Sequence, residues 1–369
     1  MRPKLEQLID TLLIQMDSSR NKAKNNRPKP SITCYLENLG WVQYLKYDMN
    51  DYFEDPEFNC EIQLKQKLIQ FERFDDDSML SNWISASTGM YFEYTLLGMY
   101  VSHQSDGVPL IQSDHPLTKK PDLSIMKRHD FYTTGEMPHI FQLYEDLRAI
   151  SKDRLNVGFP RWERGPLDMA IQLRGYEQFI DDTMKRPQFV HELMQYIIEE
   201  RMRWWDAYCK HFNTKDRLAG IGDDWTYLPF ISPSIFEEFV FPYYKKLEEY
   251  HGGIGWIHSC GSKVKFQKRL EELKGLGGHE INHWTNVEDA VANASPDKYL
   301  SISLINVDVQ LVSQEQMIED LVRIKNACKG RSYGITAAAI EKIHDDFEYD
   351  IRQVQIWLEV AKRVLRDGY

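Results

Sequence analysis

The sequence predicts an α/β protein built as a (β/α)8 TIM barrel with an N-terminal helical extension and insertions. Three observations carry that expectation. The 369 residues fit one barrel with added loops. From about residue 155 onward, short apolar segments alternate with amphipathic helical ones, the pattern of parallel strands joined by crossover helices. That many units in one chain favour a closed barrel over an open sheet. The chain therefore reads as one domain over 1–369, with an N-terminal helix and linker over 1–30 and its clearest barrel part over 155–365.

The elements follow in order. Leu5, Leu8, Ile9, Leu12, Leu13 and Met16 recur at helical spacing and give an amphipathic helix. It ends before "SRNKAKNNRPKP", a basic, proline-containing segment that reads as an exposed linker or loop. Residues 31–150 are rich in Tyr, Phe and Asp, with turn-forming stretches such as "SHQSDGVP" and "SDHPLTKKPD"; they hold the first barrel elements and long insertions. "RLNVGFP" leads into a helix through 165–182, "PQFVHELMQYIIEERMRWWDAYCKHF" is one long helix, and "RLAGIGDD" is a strand ending in acids. In "SPSIFEEFVFPYYKKLEEYH", Ser232 is placed to cap a helix and Pro233 to occupy its first position. Then come "GIGWIHSC", a helix through "KVKFQKRLEELKGLG", "HEINHW", a helix near 286–294, "YLSISL", a helix through 313–328, "SYGITAAA" and a final helix. There is no solenoid repeat and no low-complexity tract.

Composition narrows the function. Apolar residues at 42% and aromatics at 12% describe a globular chain. With 45 basic and 56 acidic side chains the formal charge is −11, which argues against nucleic acid or an anionic membrane as the main partner. No run approaches the length of a membrane span, and the charged N-terminus is unlike a signal peptide, so a cytoplasmic protein is expected. Cys34, Cys60, Cys209, Cys260 and Cys328 are odd in number and scattered, which reads as reduced thiols, each in the core, on a metal or acting as a nucleophile. GxGxxG after a strand, GxxxxGK[ST] and GxSxG are all missing.

Barrel sites lie at the C-terminal ends of strands, where Asp223, Asp224, His258, Cys260 and His283 are expected. In "WIHSCGSK" His258 and Cys260 share one strand face. An imidazole and a soft thiolate suit zinc; the other reading is a buried small thiol beside a satisfied ring. "GDDW" sets two carboxylates at a strand end, fit to bind a cationic or hydroxyl-bearing substrate, to act as acid and base, or merely to form a turn. In "HEINHW", His279, Ile281 and His283 share one face and Glu280 and Asn282 the other, so His283 or Glu280 approaches the site. Glu341 and His344 in "EKIH" would share a helix face as a surface pair, and Cys209 reads as core. Arg161, Arg164 and Arg174 flank "GPLDMAIQLRG" and are candidates to meet an anionic substrate or to form salt bridges.

The series "ERGPLDMAIQLRGYEQFIDDTMKRPQFVHELMQY", "GDDWTYLPFISPSIFEEFVFPYYKKL" and "HSCG" resembles the uroporphyrinogen decarboxylase superfamily, over roughly 155–365. The resemblance implies a (β/α)8 barrel and one of two activities. One is the cofactor-free decarboxylation of haem synthesis; the other is zinc-dependent methyl transfer between corrinoid proteins and a thiol such as coenzyme M. Cobalamin-independent methionine synthase is a more distant zinc relative. The decarboxylases' RQAGRY-type motif is missing, and Ile335 stands near the place of their last-strand histidine, which disfavours haem-pathway decarboxylation. The methyltransferases hold zinc through HxC and a later cysteine. His258 and Cys260 match the first two, whereas Ala337 or Ala338 stands at the third place and Cys328 lies before the strand.

The resemblance thus implies zinc on His258, Cys260 and either Glu280 or His283; an acidic residue holds an equivalent place in methionine synthase. The reading is a corrinoid-linked methyltransferase acting on a small substrate or thiol. Asp223, Asp224 and His283 would be catalytic, Arg174, Trp225 and Tyr227 would contact substrate, and the corrinoid would arrive on a separate partner protein. A homodimer is compatible with it. A decarboxylase of a porphyrinogen or smaller acid is the alternative, and a non-catalytic barrel binding a tetrapyrrole or partner is the second.

Overall fold

The computed structural model describes residues 3–23, 30–89, 91–107, 109–112, 114–215 and 218–367. Its strands are β1 Ser31–Leu36, β2 Trp83–Ser85, β3 Tyr100–Ser102, β4 Leu110–Gln112, β5 Asn156–Gly158, β6 Ala219–Gly222, β7 Ile254–His258, β8 Gly278–Ile281, β9 Tyr299–Leu304 and β10 Tyr333–Ile340. Strands β3 and β4 form an antiparallel hairpin inserted after β2. The other eight make the barrel. A continuous parallel sheet runs β1–β10–β9–β8, so the first and last strands close the ring. Around the rest of it β2 pairs with β5 and β6 with β7, all parallel. A bridge between Arg164 and Gly222 ties the segment after β5 to β6, and β7 packs beside β8.

Each strand sends alternate residues outward and inward. Ile32, Cys34, Ile281, Leu300, Ile302, Ile335 and Ala337 face outward and are buried against the helices 287–293, 314–327 and 347–365. Across the barrel, Trp162, Trp204, Trp205, Phe236 and Phe266 anchor a second core. The inward positions are unusual, because a barrel bore is ordinarily filled by large branched residues. Here Ser301, Ser303, Thr336 and Gly278 leave a cavity of about 510 Å³, walled also by Trp256, Tyr299 and Glu280. Aromatic side chains close on glycines beside it: a Cβ on Gly220 would come within 1.9 Å of the Trp256 indole, and one on Gly334 within 2.2 Å of the Tyr299 hydroxyl.

The expected elements appear with local corrections. The N-terminal helix spans Pro3–Met16, but part of the basic segment after it is a short helix, Ser19–Ala23, and 24–29 lie outside the described residues. The helix expected through 165–182 is two helices, Pro166–Arg174 and Tyr176–Lys185, because Gly175 at φ 85° turns the chain between them. Over 263–277 only Gln267–Leu270 is helical; Phe266, Leu270, Leu273 and Leu276 are buried by successive turns, down to Gly275 at φ 90°. Ser232 does cap its helix, accepting the Ile235 N–H at 3.2 Å, and the π-turn Phe236–Val240 carries the chain into Phe241–His251. Glu341 and His344 are not on a helix: β10 runs to Ile340 and the last helix starts at Phe347, so their spacing has no helical meaning. His344 instead pairs with Asp350 at 2.6 Å. No described helix is long and apolar enough to cross a membrane.

Candidate active site and metal centre

At the C-terminal ends of the strands lies a cavity of about 760 Å³. Its floor is organised by a buried arginine. Arg201, on the long helix Pro187–His211, donates to the carbonyls of Gly220 at 2.8 Å and Arg164 at 3.1 Å, pinning β6 to the segment after β5. That segment carries no capping side chain at Gly165, the residue before the helix Pro166–Arg174. The cap comes from the neighbouring strand end: Asp223 accepts the N–H groups of Leu167 at 3.3 Å and Asp168 at 2.5 Å, with Tyr244 donating at 2.6 Å. Only glycine permits this, since a Cβ on Gly165 would sit 2.3 Å from the Asp223 carboxyl carbon. Burial, then the charge of Asp168, pushes the Asp223 carboxyl up to about 8.

From this platform Arg164 reaches forward, donating through one nitrogen to Asp168 at 3.1 Å and to Asp224 at 2.7 Å. Burial, then the charge of Asp224, raises Asp168 to about 6; Tyr94 also donates to it. Glu93, from the helix Phe92–Leu96 after β2, is buried and accepts the N–H groups of Glu163 and Arg164 through Oε1. Burial lifts its carboxyl to about 7.

Asp224, His258 and Cys260 converge, with one donor atom of each lying within 4.8 Å of the others. His258 Nε2 is 3.5 Å from Asp224 Oδ1 and 3.8 Å from Cys260 Sγ. His258 Nδ1 bonds Glu280 Oε2 at 2.6 Å, so the carboxylate fixes the ring and leaves Nε2 toward Asp224 and Cys260. Burial acts to raise Glu280, but the His258 hydrogen bond and the Lys263 charge outweigh it and hold the carboxyl below its usual range. Asn282 donates to the carbonyls of Ser259 and Gly261 at 3.0 and 2.9 Å, bracing the loop that presents Cys260. Desolvation by the pocket wall, then the charge of Asp224, pushes the Cys260 thiol up to about 12.

The residues singled out from sequence therefore fall into different places. Asp224, His258, Cys260 and Glu280 line one cavity, with Arg161 and Arg164. Asp223 lies beneath it as the helix cap. His283, beyond the end of β8, pairs with Asp308 at 2.7 Å, and His279 points outward to Glu271 at 2.7 Å. Arg174 is buried against Asp182 at 2.7 Å and the carbonyl of Leu117 at 2.6 Å. Trp225 stacks on Tyr176 with ring centres 5.3 Å apart; the Tyr227 ring covers Gly261, beside Cys260. Sequence reasoning missed Glu37, Glu93, Glu163, Asp168 and Trp256. For the capping role of Asp223 a signal existed: "RGPLD" begins a helix without its own capping side chain, which calls for an acceptor from elsewhere.

A closed parallel barrel whose polar side chains gather at the C-terminal ends of its strands has the layout of a barrel enzyme. The family model described as "Uroporphyrinogen decarboxylase (URO-D)" matches residues 32–319, and the chain belongs to that family. Among solved structures it is similar to a methyltransferase from Methanosarcina mazei, with 12% identity, 95% of this chain and 98% of that one covered, and a TM-score of 0.63. At that identity the likeness concerns the fold. Comparison with curated proteins gives no match.

Proposed function

We propose that this chain is a methyltransferase of the corrinoid-linked type, with a zinc ion held by Asp224, His258 and Cys260. The convergence of those three side chains is the observation that carries the reading. The donor set fits zinc: an imidazole nitrogen, a sulfur and a carboxylate, with the imidazole oriented by a second carboxylate, Glu280. Asp224 supplies what the family's later cysteine would, and Glu280 acts one step out, on the far nitrogen of His258. Bound there, zinc would hold a thiol acceptor as its thiolate, or polarise the atom that carries the methyl group. The chain's own residues prepare the site. Arg164 fixes the Asp224 carboxylate, Asn282 braces the Cys260 loop, and the roomy mouth admits the substrate and a corrinoid carried by a separate protein. The porphyrinogen decarboxylase alternative calls for several cations facing the cavity, and among the described residues Arg161 and Arg164 are the two arginines that line it.

Elemental analysis of protein purified without chelator or affinity metal tests this. Wild type should carry about one zinc per chain, Cys260→Ala should lose it, and Glu280→Gln should bind it about tenfold more weakly. Methyl transfer from methylcobalamin to a thiol should follow zinc content across the three proteins. A zinc-free wild type would end the metal reading, and transfer that ignores zinc content would end its link to chemistry.

A further inference from the structure

We infer that Lys263 is a positioning residue for the metal centre: a buried ammonium group that holds the Glu280 carboxylate in place as the anchor of His258, and so fixes the ring that presents Nε2 to Asp224 and Cys260. The contacts are those of the chain alone; that Nε2 takes zinc rests on the function proposed above. Lys263 follows Cys260 by three residues, on the loop after β7. Its neighbours tuck it inward. The Lys263 carbonyl accepts the Phe266 N–H at 2.8 Å, Phe266 is buried in one core, and Val264 packs against the other. Between them Lys263 is 3% exposed. Its Nζ makes no hydrogen bond among the described residues, and its ion-pair partner is Glu280, whose Oε2 lies 3.9 Å away.

An ammonium group taken that far from water without hydrogen bonds is costly, and replacing a buried charge by an apolar side chain of similar volume is commonly neutral or stabilising. Stability is therefore a poor reason for a lysine here. The site beyond Glu280 supplies a better one. The Oε2 atom that faces Lys263 is the same one that bonds His258 Nδ1 at 2.6 Å, so Lys263, Glu280 and His258 form a chain that ends at the donor cluster. At 3.9 Å the ammonium group steers the carboxylate by charge and leaves that oxygen to the imidazole, an attraction that water does little to weaken at this depth. The charges of the site call for it. Asp224, the Cys260 thiolate and Glu280 are three anions, and a divalent ion offsets two of them. Arg164 is committed to Asp168 and Asp224, which leaves Lys263 as the cation set against Glu280. Burial lowers the Lys263 ammonium below its usual range, with the charges of Glu280 and then Cys260 acting against that.

Zinc affinity of the full chain, measured by competition with a chromophoric chelator, tests this in wild type, Lys263→Met, Glu280→Gln and the double variant. Lys263→Met should bind zinc about tenfold more weakly, while its metal-free form resists denaturant at least as well as wild type. A merely structural lysine would not give that split. Beside Glu280→Gln the same substitution should cost at most about threefold, the part that its weaker action on Cys260 allows. Lys263→Arg, which keeps the charge, should restore most of the affinity. Wild-type affinity in Lys263→Met, the full tenfold loss persisting beside Glu280→Gln, or an arginine variant that folds normally yet binds as weakly as the methionine one would each overturn the inference. So would a Lys263→Met chain that loses stability together with zinc. Those failures leave the zinc site standing, because wild type and Cys260→Ala decide it; a zinc-free wild type would end both.

Discussion

The two arcs of this barrel are built differently. The arc β8–β9–β10–β1 is a continuous ladder with serines, threonines and glycine toward the bore. The arc β2–β5–β6–β7 has strands that pair only in twos, the pairs being joined by a single bridge. The ladder arc supplies Glu37 and Glu280 to the mouth; the interrupted arc supplies the three proposed ligands and the acidic and basic residues around them. Where backbone pairing stops early, strand ends are free to splay and present side chains, and their carbonyls must then be satisfied by side chains. Arg201 does that, while Asp223 accepts the free N–H groups of Leu167 and Asp168, so chemistry and structural vulnerability coincide in one arc.

The largest test of this contrast is Arg201→Met. The Gly220 carbonyl would lose the Arg201 donor, the Arg164 carbonyl would keep only the Trp162 indole N–H of its two side-chain donors, and Glu163, Glu93 and Asp223 would lose a nearby positive charge. Unsatisfied buried groups of this kind cost roughly 3 kcal/mol together. Equilibrium denaturation should show that loss with an unchanged slope. A loss below about 1 kcal/mol would mean that the interrupted arc is held by packing, and that its polar network is not what sustains it.

The same contrast explains what could be read from sequence. Periodic segments announced themselves: "YLSISL" alternates as β9, and Leu5 through Met16 mark a helix, because packing imposes a repeat. His258 and Cys260 were legible for the same reason, since two residues apart on a strand means one face. Their third partner was not. Asp224 and Asp223 are neighbours of one residue type, and which of them turns toward the cavity is decided by the uncapped helix at Gly165 drawing Asp223 downward. Arg174 was equally plausible from sequence and went to Asp182, a local pairing set by the turn at Gly175. Glu93 lies on a five-residue helix and Glu163 in an irregular segment, both too short to show a period that links them to anything; only the closed ring brings them together.

A smaller effect separates the arcs by pH. Burial raises the Glu93 carboxyl from its ordinary 4.5 to about 7. Between those values the folded chain holds a proton that the unfolded chain has released, so stability falls as pH rises through that window, the reverse of a salt-bridged carboxylate. Glu93→Gln keeps an oxygen for the N–H groups of Glu163 and Arg164 and removes the titration. Its stability relative to wild type should therefore improve by on the order of 1 kcal/mol between pH 5 and pH 8, measured by denaturation at intervals across the range. Parallel curves would show that Glu93 is charged in the folded chain at both ends of the window.

The smallest effect belongs to the ladder arc. Thr33 and Thr336 share a hydrogen bond of 2.8 Å across the β1–β10 ladder, and Thr336 borders the 510 Å³ bore cavity. Thr336→Val keeps the shape and removes one hydroxyl. Because the cavity is polar and large enough for water, the Thr33 hydroxyl can exchange its partner for solvent, and the cost should be only about 0.5 kcal/mol, with zinc content unchanged. A loss of several kcal/mol would mean that this hydroxyl pair is a buried constraint on ring closure. The ladder arc would then depend on side-chain bonds as the interrupted arc does, and the division of labour between scaffold and site would fail on the scaffold side.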